Sequence, residues 1–256
     1  MEGRVALVTG AAGGIGEAVV RLLADRGVKV AAVDLVPERL AESVEKLRAD
    51  GLAVTGFAAD VASSAEVEAL AERVERDLGP VDYLVNAAGV LRLGAARDLT
   101  DQDWTATLAV NTNGVFFTSR ALVNRMIPRR RGAIVTVASN AAGTARTEMA
   151  AYAASKAAAT AFTKCLGLEV AQYNIRCNLV APGSTDTPML RGMHTAQTAA
   201  KASVAGNPDA YRVGIPLGKV ARPEDVAQAV LFLLSDQAGH ITMHDMTVDG
   251  GATLGV

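Results

Sequence analysis

The chain has few of the residues that mark specialised classes of protein. Its 256 residues include two cysteines, one tryptophan and three histidines, and the formal net charge is −2. Cys165 and Cys177 form no C-x-x-C pair, which argues against a disulfide scaffold and predicts two reduced thiols in the core. The near-neutral charge argues against nucleic acid or an anionic membrane as a partner. The histidines, His194, His240 and His244, lack metal-ligand spacing, so we expect no metal site.

Long apolar runs are also absent, although 50% of the residues are hydrophobic. No run reaches the length of a transmembrane helix, so we expect no membrane partner. The chain begins Met1-Glu2-Gly3 and passes straight into an apolar stretch, which predicts a cytoplasmic protein without a signal peptide. Strand-like and helical patterns alternate from end to end without a linker. This alternation predicts one α/β domain over residues 1–256.

The first alternation contains a glycine cluster between a predicted strand and a predicted helix. The apolar stretch Arg4 to Thr9 runs into T-G-x-x-x-G-x-G, whose glycines are Gly10, Gly14 and Gly16. Glycines allow a tight turn and close approach of a ligand, and a helix start offers free N–H groups to a pyrophosphate. The pattern predicts a dinucleotide site rather than an ordinary turn. Ile15, within the cluster, is either a packing residue or a ligand contact.

An acidic residue follows the next predicted strand, Val28 to Val33. Asp34 lies 24 positions after Gly10, and Leu35 comes next. A carboxylate here accepts hydrogen bonds from ribose hydroxyls and repels a 2′-phosphate. The glycine turn contains no basic residue that would compensate, so we expect the cofactor to be NAD rather than NADP. The alternative role for Asp34 is a helix or turn cap.

Two further strand ends carry candidate cofactor contacts. Asp60 and Val61 follow the stretch Leu52 to Phe57, where they are expected to flank an adenine. The stretch Val81 to Val85 leads into Asn86-Ala87-Ala88-Gly89, whose small residues leave space for a ligand at the carboxyl end of a parallel strand. Asn86 is either a cofactor contact or a bridge between backbone groups of the sheet.

A tyrosine and a lysine occur four positions apart at the start of an alanine-rich helical segment. Tyr152 and Lys156 therefore lie on one helix face, and an ammonium beside a phenol favours the phenolate. Ser139 ends the apolar stretch Gly132 to Ala138, and its hydroxyl is placed to bond the oxygen that Tyr152 deprotonates. The same tyrosine–lysine spacing also occurs on ordinary half-exposed helices, so these residues indicate a catalytic site only together with the motifs upstream.

A polar residue interrupts the apolar face of a long helical segment, roughly Asp101 to Met126. Asn111 lies in A-V-N-T-N-G, and its amide needs hydrogen-bond partners in that environment. We expect Asn111 to kink the helix and to free a carbonyl group that binds water.

In this order the motifs resemble the short-chain dehydrogenase/reductase family over essentially the whole chain. The resemblance implies a single-domain Rossmann fold, with a doubly wound seven-stranded parallel sheet and helices on both faces, and a homotetramer. It implies that Asn111, Ser139, Tyr152 and Lys156 form a catalytic tetrad. The implied cofactor contacts are Gly10, Gly14, Ile15, Gly16, Asp34, Leu35, Asp60, Val61, Asn86, Ala87, Ala88, Gly89, Tyr152, Lys156, Pro182, Gly183, Thr185 and Thr187.

Longer stretches resemble one subgroup of the family, the 2,3-dihydro-2,3-dihydroxybenzoate dehydrogenases of catechol siderophore biosynthesis. These stretches include residues 84–94, 132–139, 214–219 and 240–251. Residues 140–149 and 189–210 match the subgroup poorly, so 2,3-dihydro-3-hydroxyanthranilate, with an amine in place of one hydroxyl, is an alternative substrate. A different cyclic alcohol or a 3-oxoacyl chain is also compatible with the motifs. A protein of a different class, a non-catalytic NAD-binding sensor, would share the cofactor motifs as well.

The implied substrate is a small dihydroaromatic carboxylate, and a carboxylate is well matched by a planar guanidinium. Three arginines lie in loops beside the expected site, Arg92, Arg146 and Arg191. Each is a candidate for binding the carboxylate, with Ser139 and Tyr152 contacting the reacting oxygen, and each is equally consistent with an ordinary surface arginine. Helical patterning broken by glycine and proline in residues 188–213 predicts a substrate-binding lid, or else a plain surface excursion.

Overall fold

The sheet follows from the alternation of apolar strands with amphipathic helices. The computed structural model describes residues 1–192 and 196–255, with the side chains of all of these except 196–199. Within these ranges seven parallel strands form one sheet in the order β3-β2-β1-β4-β5-β6-β7, which confirms the predicted fold class. The strands are Val5–Thr9 (β1), Lys29–Asp34 (β2), Val54–Ala58 (β3), Val81–Asn86 (β4), Gly132–Val137 (β5), Ile175–Pro182 (β6) and Asp245–Val248 (β7).

Helices connect the strands and cover both faces of the sheet. Among the described residues they are Gly14–Ala24 (α1), Pro37–Ala49 (α2), Ser64–Leu78 (α3), Asp101–Leu108 (α4), Gly114–Arg129 (α5), Ala150–Val170 (α6), Pro188–Arg191 (α7), Ala196–Ala205 (α8) and Pro223–Leu234 (α9). The strand order reverses between β1 and β4, which leaves a crevice at the carboxyl ends of these strands.

Alternate side chains of β1 fill two separate cores. Ala6 and Val8 belong to the core that contains α1, α2 and α9, whereas Val5 and Leu7 pack with α3 and α5. Because both faces are covered, every residue of this strand is buried, and the strand is a continuous apolar run apart from its last residue, Thr9.

The predicted continuous helix over residues 101–126 is interrupted in the structure. A one-turn π-helix, Ala109–Asn113, separates α4 from α5. Asn111 lies at its centre and is fully buried. Such single π turns insert an extra residue into the helix and commonly occur at functional sites, so the irregularity expected at Asn111 takes this form.

The two cysteines differ in burial. Cys177, in β6, is buried, and this burial raises the pKa of its thiol to about 12. Cys165, in α6, is exposed. The prediction of two core thiols is therefore wrong for Cys165, because its position on α6 faces away from the sheet.

None of the helices in the described ranges combines the length and the apolar character needed to cross a membrane. In the same ranges no group of three or more His, Cys, Asp or Glu side chains has an arrangement that would hold a metal ion. His194, one of the three histidines of the chain, lies outside the described residues.

Candidate active site

A cavity of about 500 Å³ opens at the carboxyl ends of the central strands. The loops after β4, β5 and β6 and the start of α6 contribute to its wall, as expected for the crevice of a doubly wound sheet. Many of the residues singled out from the sequence meet here. Those in the cavity wall are Ile15, Ala87, Gly89, Ser139, Arg146, Tyr152, Lys156, Pro182, Gly183, Thr185 and Thr187.

Tyr152 and Lys156 project from the first two turns of α6 into this cavity. Their exposed fractions are only 9% and 5%. The Lys156 ammonium lies 5.8 Å from the centroid of the Tyr152 ring and donates a 2.8 Å hydrogen bond to the carbonyl of Val137 at the end of β5. This bond fixes the lysine between the helix and the sheet, one helical turn from the phenol.

Burial dominates the ionisation of both groups. It raises the pKa of the Tyr152 phenol, and a hydrogen bond with Ser139 acts in the opposite direction without cancelling the effect. Burial also lowers the pKa of the Lys156 ammonium to about 8. The expectation of a lowered tyrosine pKa is therefore wrong for the protein chain by itself, because the cost of removing the phenolate from water outweighs the hydrogen bond with Ser139.

Asn111 acts on the site through neighbouring groups and does not line the cavity. Its Oδ1 atom accepts a hydrogen bond of 2.8 Å from the backbone N–H of Val90, and its Nδ2 atom donates to the Val90 carbonyl and to Ser155 Oγ, both at 2.9 Å. Ser155 in turn donates a 2.7 Å bond to the carbonyl of Tyr152. Asn111 thus joins the loop after β4 to the helix that carries the tyrosine.

The Ser139 hydroxyl lies at the end of β5, where the residue is 8% exposed. Its oxygen accepts a 3.2 Å hydrogen bond from the N–H of Ala141, which holds the start of the next turn. The same hydroxyl forms the hydrogen bond with Tyr152 that opposes the rise in the phenol pKa. The serine is thus placed beside the tyrosine, as the sequence pattern predicted.

The glycine turn approaches the loop after β4 too closely for any side chain. Gly10 has φ +66°, and a Cβ atom there would lie 2.8 Å from the backbone nitrogen of Ala88. Thr9 Oγ1 accepts 3.1 Å hydrogen bonds from the N–H groups of Ala87 and Ala88. These bonds connect the glycine turn after β1 to the loop after β4. The first N–H groups of α1 have no partners within the helix. This arrangement fits the pyrophosphate of a dinucleotide.

The loop after β6 closes the other side of the same turn. A Cβ atom on Gly14 would lie 3.2 Å from Cγ2 of Thr187. The Thr187 hydroxyl caps α7 by accepting a 3.4 Å hydrogen bond from Leu190 N–H, and Thr185 Oγ1 donates to the carbonyl of Gly183 at 3.2 Å. The predicted contact of Thr187 with the cofactor stays a prediction.

The acidic residues expected to contact the adenosine half lie outside the cavity wall. Asp34 accepts hydrogen bonds from the N–H of Ala12 (3.0 Å) and of Val36 (3.4 Å), and Leu35 beside it is 62% exposed. Asp34 therefore braces the glycine turn, in keeping with its alternative role as a cap, and its position at the end of β2 suits a ribose contact as well.

Asp60 and Val61 follow β3 at the same edge of the sheet. Asp60 Oδ1 accepts a 2.8 Å hydrogen bond from the N–H of Ala62, which shapes the turn into α3. Val61 is buried, and a Cβ atom on Gly114 would lie 2.9 Å from its Cγ2. The predicted adenine contacts of these two residues stay predictions.

The side chain of Asn86 is directed into the protein, away from the cavity. It is 3% exposed; its Nδ2 atom donates to Ser119 Oγ at 3.0 Å and to Thr136 Oγ1 at 3.4 Å, and its Oδ1 atom accepts a 2.6 Å bond from Thr118. The predicted cofactor contact of Asn86 stays a prediction. The bridging role is nearer to the structure, although the partners are side chains of α5 and β5 rather than backbone groups.

Comparison with known proteins agrees with this geometry. Residues 4–198 match the family model described as short chain dehydrogenase. The chain belongs to this family. It is 56% identical over its whole length to a protein of Bacillus subtilis (strain 168) named 2,3-dihydro-2,3-dihydroxybenzoate dehydrogenase, of which 98% is covered. It is 42% identical, over 97% of the chain and 95% of the relative, to the vibriobactin-specific enzyme of the same name from Vibrio cholerae.

Among solved structures, a single-residue variant of actinorhodin polyketide ketoreductase with NADPH superposes with a TM-score of 0.89 at 34% identity, covering 97% of each chain. As a short-chain dehydrogenase, the chain is an oxidoreductase that acts on the CH–OH group of a small molecule and uses a nicotinamide cofactor. The family resemblance inferred from the motifs is thereby confirmed.

Of the three arginines predicted to bind substrate in this dehydrogenase, the structure brings one into the cavity. Arg146 lies in the loop before α6 and lines the wall. Arg191 instead pairs with Asp186, Nε to Oδ1 at 2.8 Å, and Arg92 lies 3.7 Å from Asp103. Neither of these two lines the cavity, because each guanidinium lies beside a carboxylate at the protein surface, and their predicted contacts with the substrate stay predictions.

The segment predicted as a lid of the dehydrogenase forms part of the cavity wall. It contains α7, α8 and a 3₁₀ turn, Pro208–Ala210. Its contribution to the wall comes from both helices and from Asn207, Ala210, Arg212 and Val213. One of those residues, Arg212, was not predicted as a site residue. Its only signal in the sequence was its charge within the predicted lid. The closing movement expected of this segment stays a prediction.

Proposed function

We propose that this dehydrogenase oxidises a ring carbinol of 2,3-dihydro-2,3-dihydroxybenzoate to give 2,3-dihydroxybenzoate in siderophore biosynthesis, with NAD⁺ as the oxidant. The observation that carries the proposal is the 56% identity over the whole chain to a relative of that name. Two features of the cavity support it. Tyr152 and Lys156 provide a base, and Arg146 provides a positive charge for a ring carboxylate in the same cavity.

The proposed cofactor site consists of the glycine turn, the start of α1 and the loops after β4 and β6. An oxidised nicotinamide bound there would supply the acceptor for the hydride that leaves the carbinol carbon. Asp34 supports the choice of NAD, because its carboxylate would repel a 2′-phosphate and no basic residue follows it at Leu35.

In the proposed mechanism Tyr152 removes the proton from the carbinol oxygen. Ser139 donates a hydrogen bond to the same oxygen and holds it beside the phenol. Lys156 keeps a positive charge one turn from the developing phenolate, where burial limits screening by water. The ketone that results tautomerises to an aromatic catechol, and aromatisation makes the oxidation strongly favourable. We assign the carbonyl group that the helix irregularity at Asn111 is expected to free to hold a water that carries the proton outward.

The proposed assembly is a homotetramer, as the family resemblance implies, and the proposed location is the cytoplasm. Size-exclusion chromatography with light scattering gives the molar mass directly. A single species of four times the 26.4 kDa chain mass supports the proposal, and a monomer or dimer at assay concentrations contradicts it.

Turnover by the purified protein tests the activity. With NAD⁺ and 2,3-dihydro-2,3-dihydroxybenzoate, the absorbance of NADH should appear with wild type. It should fall by roughly 10²- to 10⁴-fold in Tyr152→Phe, because the general base is lost. Tyr173→Phe, in the 3₁₀ turn Ala171–Tyr173 after α6, is the matched control and should keep wild-type turnover.

The same assay distinguishes the competing functions. Faster turnover of 2,3-dihydro-3-hydroxyanthranilate would assign the amino acid analogue as substrate. Binding of NAD⁺ without turnover of any cyclic alcohol would make the protein a sensor, and equal activity of wild type and Tyr152→Phe would refute the mechanism.

A further inference from the structure

Two arginines from distant parts of the chain line the same cavity as Tyr152. Arg146 comes from the loop between β5 and α6, and Arg212 comes from the end of the segment predicted as a lid. Their charges are close enough that Arg212 contributes, after burial, to lowering the pKa of Arg146, and the carboxylate of Asp249 acts in the opposite direction without cancelling the effect. Two like charges in one partly buried cavity repel each other unless an anion lies between them.

The backbone holds Arg212 in a defined position. Asn207 and Arg212 form a two-residue antiparallel bridge with reciprocal N–H to carbonyl hydrogen bonds of 2.9 Å. Gly206 (φ +77°) and Gly214 (φ +87°) flank this bridge in the left-handed region, and a Cβ atom on Gly206 would lie 2.6 Å from the nitrogen of Gly214. The turn is therefore packed backbone against backbone, and Arg212 cannot shift its main chain without breaking that packing.

Neither guanidinium is satisfied by the protein. Arg212 Nε is buried and has no hydrogen-bond partner within the described part of the chain, and its Nη2 atom contacts only the weak acceptor Met149 Sδ, at 3.4 Å. Arg146 makes no hydrogen bond or ion pair with any side chain or backbone group that the structure describes. A buried guanidinium N–H without an acceptor is costly, which points to an acceptor supplied by a ligand.

The nearby carboxylates do not fill this role. Asp249 already accepts hydrogen bonds from Asn140 Nδ2, from the N–H of Gly251, and from both N–H and hydroxyl of Thr253. Glu148 lines the cavity as well, but its side chain is exposed and bonds neither arginine among the described contacts.

We propose that Arg212 and Arg146 together bind the carboxylate of the substrate, so that the predicted lid supplies half of the acid-recognition site. This inference rests on the proposed function for the identity of the acid, a ring carboxylate. It adds that the substrate carboxylate neutralises the charges of Arg146 and Arg212, which otherwise repel each other. By binding both arginines, the carboxylate joins residues 206–214 to the loop before α6. Specificity for acids over neutral ring diols then depends on both arginines.

Equilibrium binding tests the assignment without requiring turnover. The full-length protein with NADH is titrated with 2,3-dihydroxybenzoate and with catechol, which lacks the carboxylate. Arg212→Gln and Arg146→Gln should each weaken binding of the acid by roughly ten- to a hundredfold, the range for a lost hydrogen bond to a charged group. Catechol binding should change less than about threefold in the same variants, well below a full charged bond.

The double variant and a surface control complete the experiment. Because both arginines bind one anion, the loss in Arg146→Gln/Arg212→Gln should be smaller than the product of the two single losses. Arg97→Gln is the matched control, since the Arg97 side chain is 88% exposed and pairs only with Asp98 among the described residues, and it should bind both ligands as wild type does. Unchanged NADH binding in all variants shows that the fold is retained.

The outcomes separate this inference from the proposed function. Wild type that fails to oxidise the dihydrodiol acid, yet binds aromatic acids in an Arg212-dependent way, would refute the function and support the carboxylate site. Wild type that oxidises the acid, with Arg212→Gln binding acid and catechol unchanged, would refute the role of Arg212. Equal losses for acid and catechol would also overturn it, because they indicate a general packing defect.

Discussion

Replacing Lys156 by methionine should make the cofactor-free protein more stable at neutral pH, although it should remove activity. The Lys156 side chain is 5% exposed, and methionine has a similar length without the charge. Burial lowers the pKa of the ammonium to about 8, from an ordinary value of 10.5. At pH 7 the folded protein therefore holds a charge that the unfolded chain would keep in water at much lower cost.

The size of the effect follows from the two pKa values. Their difference corresponds to about 3 kcal/mol of destabilisation in wild type at every pH below 8, where folded and unfolded chains are both protonated. Loss of the hydrogen bond to the Val137 carbonyl offsets about 1 kcal/mol of the gain in Lys156→Met. The net expectation at pH 7 is an increase of about 2 kcal/mol in the free energy of unfolding.

The pH dependence gives the sharper test. Between pH 8 and 10.5 folded wild type loses the proton while the unfolded chain keeps it, so wild-type stability rises through this window and the advantage of Lys156→Met shrinks. Urea unfolding followed by circular dichroism, at about pH 7 and about pH 9.5 and at equal protein concentration, measures both values. Lys164→Met removes a half-exposed lysine and should change stability by less than about 0.5 kcal/mol at either pH. A variant no more stable than wild type at pH 7, with a difference independent of pH, would refute the reasoning.

Three further changes test the cofactor turn and the buried amide. Gly10→Ala should abolish cofactor binding and lower the unfolding midpoint, because its Cβ atom would lie 2.8 Å from the nitrogen of Ala88. Asp34→Ala should shift the ratio of kcat/KM for NAD⁺ over NADP⁺ towards NADP⁺ by roughly tenfold or more, the value of one charged hydrogen bond. Thr118→Val should cost about 1–3 kcal/mol in chemical denaturation, because the Oδ1 atom of Asn86 loses its 2.6 Å donor.

Controls for these changes exist within the chain. Gly3 also has a positive φ (+74°) but no atom within 4 Å of a Cβ, so Gly3→Ala should show backbone strain alone, about 1 kcal/mol. If Gly10→Ala were no worse than Gly3→Ala, close packing of the two loops would be disproved. Thr105→Val alters an exposed threonine on α4 and should be nearly neutral. An unchanged cofactor ratio in Asp34→Ala would remove the charge argument for NAD.

Features encoded by neighbouring residues were predictable from the sequence. The alternation of apolar strands with helices indicated the parallel sheet, and the spacing of Gly10, Gly14 and Gly16 indicated the turn between β1 and α1. The four-residue spacing of Tyr152 and Lys156 placed both side chains in one cavity. In each case the feature depends on the spacing of residues within one helical turn or one strand, which can be read directly from the sequence.

Features that depend on contacts between distant residues were not predictable. Asn86 is bonded to side chains 32 to 50 positions away, so its sequence neighbours carry no sign of that network. Arg212 reaches the cavity only because residues 188–213, which follow β6, fold back so that their end lies at the cavity wall. The pKa of Tyr152 depends on burial by the whole fold, and its spacing from Lys156 alone suggested the opposite direction.

Deleting one residue from Ala109–Asn113 would let α4 continue into α5 as an unbroken α-helix with better hydrogen-bond geometry. Each residue of an α-helix turns the chain by about 100°, so the deletion would also swing the Asn111 amide out of reach of Val90 and Ser155. The continuous helix would then no longer connect α6, which carries Tyr152, to the loop after β4. The π turn makes the helix locally irregular, and this irregularity holds two separate parts of the site in fixed positions relative to each other.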